Sequence, residues 1–271
     1  MTHQPFRFGP ALLFCPADRP DRFAKALERA DAVILDLEDA VGEEAKHAAR
    51  LALLGTPLDP ERVVVRVNPA SSTHFDDDLT ALAETGYRTV MLAKCEGTAD
   101  VVDLAGYEVI ALCETARGVL AAPEIAKLPN VSALMWGAED LVASLGGSSS
   151  RFPDGRYRDV ARHARSQVCL AAAAHDIAAV DAVHLAIDDV DGLRAEAEDA
   201  AALGFSSTAC IHPRQVDVVR EAYRPDPDRL EWARAVLAAA EDGPGAFAFR
   251  GGMVDAPVLR QAAALVRRGG G

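Results

Sequence analysis

The chain has 271 residues, half of them hydrophobic and a quarter charged, which suits one large domain or two small ones around a sizeable core. Lys and Arg number 28 against 41 Asp and Glu, a net charge of −13, so neither nucleic acid nor an anionic membrane is expected as partner, since both require a basic face. The five cysteines (Cys15, Cys95, Cys113, Cys169, Cys210) are widely spaced without a CxxC, which excludes a disulfide framework and a zinc knuckle and makes a reducing cytoplasm the simplest home.

Short apolar runs recur along the chain with helix-like stretches between them. Strands are expected at 11–15, 32–37, 62–68, 89–94, 109–114, 132–137, 179–185 and 207–212. Between them, RFAKALERA, EEAKHAARLALL and RAEAEDAAALG carry Ala, Leu, Glu and Arg at helical spacing, with Gly86 and Gly204 placed as C-terminal caps. Near-continuous apolar strands suit a parallel sheet covered on both faces. Eight such repeats point to a (β/α)8 TIM barrel over residues 1–223, with an open doubly wound sheet as the alternative. GGSSSRFPDGRYRD, between strands six and seven, reads as a surface loop. Residues 224–271 fall outside the eightfold count, as a C-terminal helical extension acting as lid or oligomer contact. No run of 18 apolar residues occurs, so no membrane span is expected.

In a barrel of this kind the active site forms at the C-terminal ends of the strands. Ionisable and polar residues stand there strand after strand: Asp36, Glu38 and Asp39; Arg66 and Asn68; Lys94 and Glu96; Glu114 and Arg117; Glu139 and Asp140; His212. Carboxylates so close together become tolerable around a divalent cation, and an all-oxygen donor set favours Mg2+ or Mn2+ over zinc. No dinucleotide or P-loop glycine motif appears, and no nucleophile stands beside a base. A cation with Arg66 suits a substrate carrying a carboxylate next to a carbonyl or hydroxyl, and C–C bond chemistry through an enolate. Arg66 has a second reading, as a buried ion pair with the acids of strand two. Lys94 likewise either pairs with Glu38 or Glu96 or acts directly.

FCPADRPDRFAKAL, VILDLEDAV, VVVRVNP, CETARGV, MWGAEDL and ACIHPRQV, in this order, resemble the citrate lyase β-subunit-like branch of the HpcH/HpaI aldolase family. The likeness runs from about Leu12 to Val258 and is strongest to the stand-alone actinobacterial, CitE-like members. It implies a (β/α)8 fold, Mg2+, a coenzyme A thioester and a 2-oxo acid as ligands, and a homotrimer. It also implies Glu114 and Asp140 as metal ligands and Arg66 as holder of the oxo-acid carboxylate. Phe14, Arg19 and Lys25 would meet the CoA thioester, and Asp255, brought from a neighbouring subunit, would transfer a proton at the α-carbon. Glu38 would support metal-bound water or orient Arg66 and Lys94, while Asp36 and Asp39 anchor loops. The implied reaction is retro-Claisen cleavage of a carboxylated 3-hydroxyacyl-CoA. Two alternatives remain at this point: malate-synthase-like condensation followed by thioester hydrolysis, and a non-catalytic citrate lyase β subunit dependent on partners. Departures such as Ala93–Lys94 and Cys113 leave acyl selectivity open.

Overall fold

The computed structural model describes residues 6–240 and 245–269. The Gly/Pro break before Gly245, the last residue of DRLEWARAVLAAAE and most of the terminal glycine run lie outside them. Contacts divide the chain into two compact units, Met1–Ala222 and Tyr223–Gly271.

Eight parallel strands, β1 (Ala11–Pro16), β2 (Ala32–Asp36), β3 (Val63–Val67), β4 (Thr89–Leu92), β5 (Glu108–Cys113), β6 (Val131–Trp136), β7 (Ala178–Asp181) and β8 (Ser207–Cys210), pair in sequence order. β8 closes on β1 through Thr208↔Ala11, completing the expected barrel. Helices α1 (Phe23–Arg29), α2 (Lys46–Gly55), α3 (Phe75–Ala83), α4 (Ala116–Ile125), α5 (Ala138–Ser144), α6 (Asp159–Ala174), α7 (Val190–Leu203) and α8 (Pro213–Tyr223) connect the strands or follow the last. One connection departs from the expected alternation: between β4 and β5 the chain makes only a 3-10 turn, Thr98–Leu104. Gly204 takes a left-handed φ of 103° and caps α7 as expected. Gly86 is not among the positive-φ glycines; α3 ends earlier, at Ala83, through Glu84 and Thr85 amides that donate to Ala81 and Leu82 carbonyls.

Side chains alternate between the barrel interior and the helix layer. Leu12, Ile34, Val64, Met91, Ile110, Leu112, Ala133, Met135, Val180 and Ala209 share one buried interior cluster with Phe8. Two residues further along the same strands, the same parity reaches Phe14, Asp36, Arg66, Glu114, Gly137, Ala182 and Ile211, which all line one cavity at the C-terminal mouth. Within one layer the interior thus gains three ionisable side chains, Asp36, Arg66 and Glu114, beside apolar neighbours. Elsewhere, buried and half-buried charges are fixed within the scaffold. Arg50 pairs with Asp78 (2.8 Å), which also accepts from Asn68, and Arg220 of α8 binds Asp31 beside β1 and β2 (2.9 Å).

The second unit consists of α9 (Pro227–Ala240), a hairpin of β9 (Phe247–Phe249) and β10 (Gly252–Val254), and α10 (Ala256–Gly269). Arg250 and Gly251, both at positive φ (45° and 84°), make the two-residue turn that matches strand twist. Ala233, Val236, Val254 and Ala262 form its core. Among the described residues no helix is long and apolar enough to cross a membrane.

Candidate active site

The cavity at the mouth measures about 240 Å3 and has two unlike walls. Leu112, Met135, Trp136, Ala182, Val183 and Ile211 form an apolar side; Asp36, Asp39, Arg66, Glu114, Glu139 and Asp140 form a polar one.

Arg66 sits beside Asp36 because β2 and β3 pair in the register Asp36↔Arg66. Its Nε and Nη2 donate to the two Asp36 oxygens at 2.6 Å each, and its guanidinium lies 4.8 Å from the Phe14 ring centroid. Glu38 approaches Nη1 at 3.2 Å. The ion pair with the acids of strand two, one of the two readings of Arg66, is therefore present, and Asp36 occupies the Nε–Nη2 edge. N–H groups remain on Nη1 and Nη2, so the guanidinium still has donors to give. Asp36 also accepts from the Glu38 and Ala40 amides (2.9 and 3.1 Å), the loop anchoring expected of it.

Glu114 is buried at the end of β5. Burial, then the charge of Asp140, push its carboxyl up to about 8, against the opposing pull of Arg66 and Lys94. Its Oε1 accepts from the Lys94 amide at 3.1 Å. Its Oε2 lies against Gly137: a Cβ there would stand 2.7 Å from Oε2 and 2.9 Å from the Glu114 Cβ. Asp140 projects from the first turn of α5, one-third exposed, with Lys94 Nζ 3.3 Å away. Lys94 further bonds Glu38 and, at 3.0 Å, Asp39. Burial is the largest influence and disfavours its ammonium, but Glu38, Asp39 and Asp140 together outweigh it and hold the pKa above the ordinary lysine range.

Five carboxylates (Asp36, Glu38, Asp39, Glu114, Asp140) thus share two cations, Arg66 and Lys94. The crowding is relieved in part by the proton that Glu114 keeps up to about pH 8, and a further positive charge beside it would let it ionise. Among the described residues no three His, Cys, Asp or Glu side chains converge into a cage. That suits Mg2+, which takes one or two protein carboxylates and fills its other positions with water and substrate. The absence of a Cβ at Gly137 gives the Glu114 carboxyl its room.

Phe14, Glu38, Arg66, Glu114 and Asp140 are brought together. Arg19 and Lys25 do not line the cavity: Arg19 pairs with Asp21 at 3.1 Å just past β1, and Lys25 is exposed on α1. Asp255 belongs to the second unit and caps α10, accepting from the Val258 amide at 3.2 Å. Asn68 is buried between Lys46, Leu37 and Asp78, and Glu96 accepts from Thr115. His212 accepts from the Arg214 amide at the start of α8. Cys113 is a buried thiol pushed well up by burial, which leaves it unreactive. Gly137 and the apolar wall were not foreseen; Ala182 and Ile211 of the wall could have been found by carrying the interior parity two residues past Val180 and Ala209.

A closed parallel barrel with an acidic, cation-type donor set and a clamped arginine at its C-terminal mouth defines an enzyme of the metal-assisted barrel class. Residues 11–213 match the family described as HpcH/HpaI aldolase/citrate lyase, and the chain belongs to that family, an enzyme of the carbon–carbon lyase type. A citrate lyase subunit beta-like protein of Mycobacterium tuberculosis is 61% identical over 262 residues, covering 97% of this chain and 96% of the relative. A crystal structure of the protein CitE from that organism, in complex with magnesium, acetoacetate and coenzyme A, superposes with a TM-score of 0.92 at 60% identity, covering 97% of this chain and 99% of that one. The mitochondrial citramalyl-CoA lyase of Mus musculus is 32% identical over 290 residues, covering 94% of this chain and 84% of the relative.

Proposed function

We propose that the protein is a Mg2+-dependent acyl-CoA lyase. Its substrate is a carboxylated 3-hydroxyacyl-CoA, split into a short acyl-CoA such as acetyl-CoA and an oxo acid: a 2-oxo acid from a citryl- or malyl-like thioester, a 3-oxo acid from a hydroxymethylglutaryl-like one. The observation that carries this reading is one cavity lined by Glu114, Asp140 and Arg66, with an apolar wall completing it. The magnesium, acetoacetate and coenzyme A of the M. tuberculosis structure support it.

Glu114 and Asp140 hold the Mg2+ (or Mn2+), which when bound supplies Lewis-acid polarisation of the substrate oxygen beside the carboxylate. Arg66 binds that carboxylate through its remaining Nη1 and Nη2 hydrogens, while Asp36 and the Phe14 ring fix the guanidinium plane. Glu38 holds Arg66 and Lys94 in register. As the C2–C3 bond breaks, the hydroxyl proton passes to solvent at the open mouth and the O–H electron pair forms the carbonyl of the oxo acid. The C–C pair passes to the thioester enolate, and Asp255 delivers a proton to that carbon. The apolar wall keeps bulk water from the enolate. Arg19 and Lys25, outside the cavity at the β1 side, contact the CoA moiety. Asp255 reaches the site from a neighbouring copy in a homotrimer, with residues 224–271 as lid and subunit contact. All five cysteines are free, which supports a cytoplasmic location.

Turnover of Glu114→Gln and Asp140→Asn tests the assignment. Each variant is expected to lose activity by two orders of magnitude or more while remaining folded, since one metal-borne electrostatic contact is worth about that much. Wild-type rates in both variants would rule the assignment out.

A further inference from the structure

Lys94 follows β4 with its backbone in the left-handed region, φ 48°, where a side chain is rarely tolerated without compensating contacts. Those contacts are all carboxylates of the site. Its amide N–H donates to Glu114 Oε1 at 3.1 Å. Its Nζ donates to Glu38 and to Asp39 (3.0 Å) and stands 3.3 Å from Asp140. One residue therefore touches both members of the proposed cation pair, Glu114 through the main chain and Asp140 through the ammonium. The left-handed turn makes this double contact geometrically workable, because it leaves the amide facing β5 while the side chain reaches α5 across the mouth.

We propose that Lys94 is a positioning residue that sets the divalent-cation affinity of the site: its amide holds Glu114 in place, and its ammonium competes with the cation for Asp140. Two positive charges cannot both approach one carboxylate without repulsion, and at a partly desolvated site that repulsion is poorly screened. Affinity is thereby held low enough for the ion to exchange, while the Glu38 and Asp39 bonds keep the ammonium from leaving. The inference rests on the reading of Glu114 and Asp140 as the cation pair.

Calorimetric titration of the full-length protein with MgCl2, and separately with MnCl2, tests it on wild type, Lys94→Met, Lys94→Gly and Lys94→Arg, each checked for folding by circular dichroism. Lys94→Met and Lys94→Gly should both tighten the Kd by about tenfold, because both remove the competing charge. Lys94→Gly also relaxes the backbone, so equal tightening in the two assigns the effect to the ammonium. Lys94→Arg, which retains the charge, should stay near wild type. A purely structural lysine would lower the melting temperature of Lys94→Met without tightening the Kd, and that result overturns the proposal. If Lys94→Met does not fold, the Lys94→Gly and Lys94→Arg pair decides alone. Glu114→Gln and Asp140→Asn run in parallel separate the two readings. Binding lost in both, without tightening in the Lys94 variants, refutes only the role of Lys94. Binding unaffected in both refutes the cation pair and the role of Lys94 together.

Discussion

Glu114 is the residue on which most of the site's electrostatics converge. Burial and the neighbouring Asp140 raise its carboxyl to about 8, while an unfolded chain would hold it near the ordinary glutamate value of about 4.3. The folded state therefore keeps a proton that the unfolded state has released between those values. Its contribution to stability is complete below about 4.3 and is lost as pH rises through about 8. Denaturant titrations in EDTA should show wild type losing stability over that window and Glu114→Gln losing less. Cation binding needs the ionised form, so the calorimetric Mg2+ Kd should tighten with rising pH and level off above about 8, with proton uptake by the buffer below it. Gly137 is the second sensitive residue. An added Cβ would meet both Oε2 and the Cβ of Glu114, and the latter cannot swing aside. Gly137→Ala is expected to cost about 1–3 kcal/mol of stability and to weaken Mg2+ binding at least tenfold, measured by denaturation and calorimetry.

At the scale of elements, the loop between α5 and α6 is tied into the site's apolar wall. Arg151 pairs with Glu196 and stacks over Tyr157 at 3.7 Å; Tyr157 meets Trp136 edge-on at 5.3 Å. Trp136 in turn donates to Asp181, which Arg165 holds at 2.9 Å. Tyr157→Ala should raise KM severalfold with a smaller change in kcat, because it loosens a wall and leaves the cation pair intact. Equal losses in both constants would instead place Tyr157 in the chemistry. The barrel strands were legible in the sequence because their faces are buried on both sides, so apolar runs such as AVILDL and RVVVRVN stand out. The acidic strand ends were legible for the same reason, as charges abruptly following those runs. Three features were not. The Asp36–Arg66 clamp depends on interstrand register, which a single chain does not display. The left-handed backbone of Lys94 is held by tertiary contacts rather than by residue type. The missing α-helix before β5 falls on TADVVDLAGY, where Thr98, Asp100, Val101, Val102 and Asp103 are all weak helix formers.

For the whole molecule, the proposed reaction assigns the cation pair and Arg66 to the barrel unit and the proton donor to Asp255, a residue of the second unit. This division yields a separable expectation. Asp255→Ala should retain wild-type Mg2+ affinity and fold but lose turnover by about 10²- to 10⁴-fold, the usual worth of a positioned general acid. Mixing Asp255→Ala with Glu114→Gln chains should restore part of the activity if the acid acts from a neighbouring copy, and none if it acts within its own chain. The most direct test of metal-dependent C–C cleavage is to follow products from a panel of carboxylated 3-hydroxyacyl-CoAs by liquid chromatography, with Mg2+ and with EDTA. The expected result is a short acyl-CoA and an oxo acid in equal amounts, formed with Mg2+ and abolished by EDTA. Equal rates in EDTA, or free CoA in place of the acyl-CoA product, would contradict it.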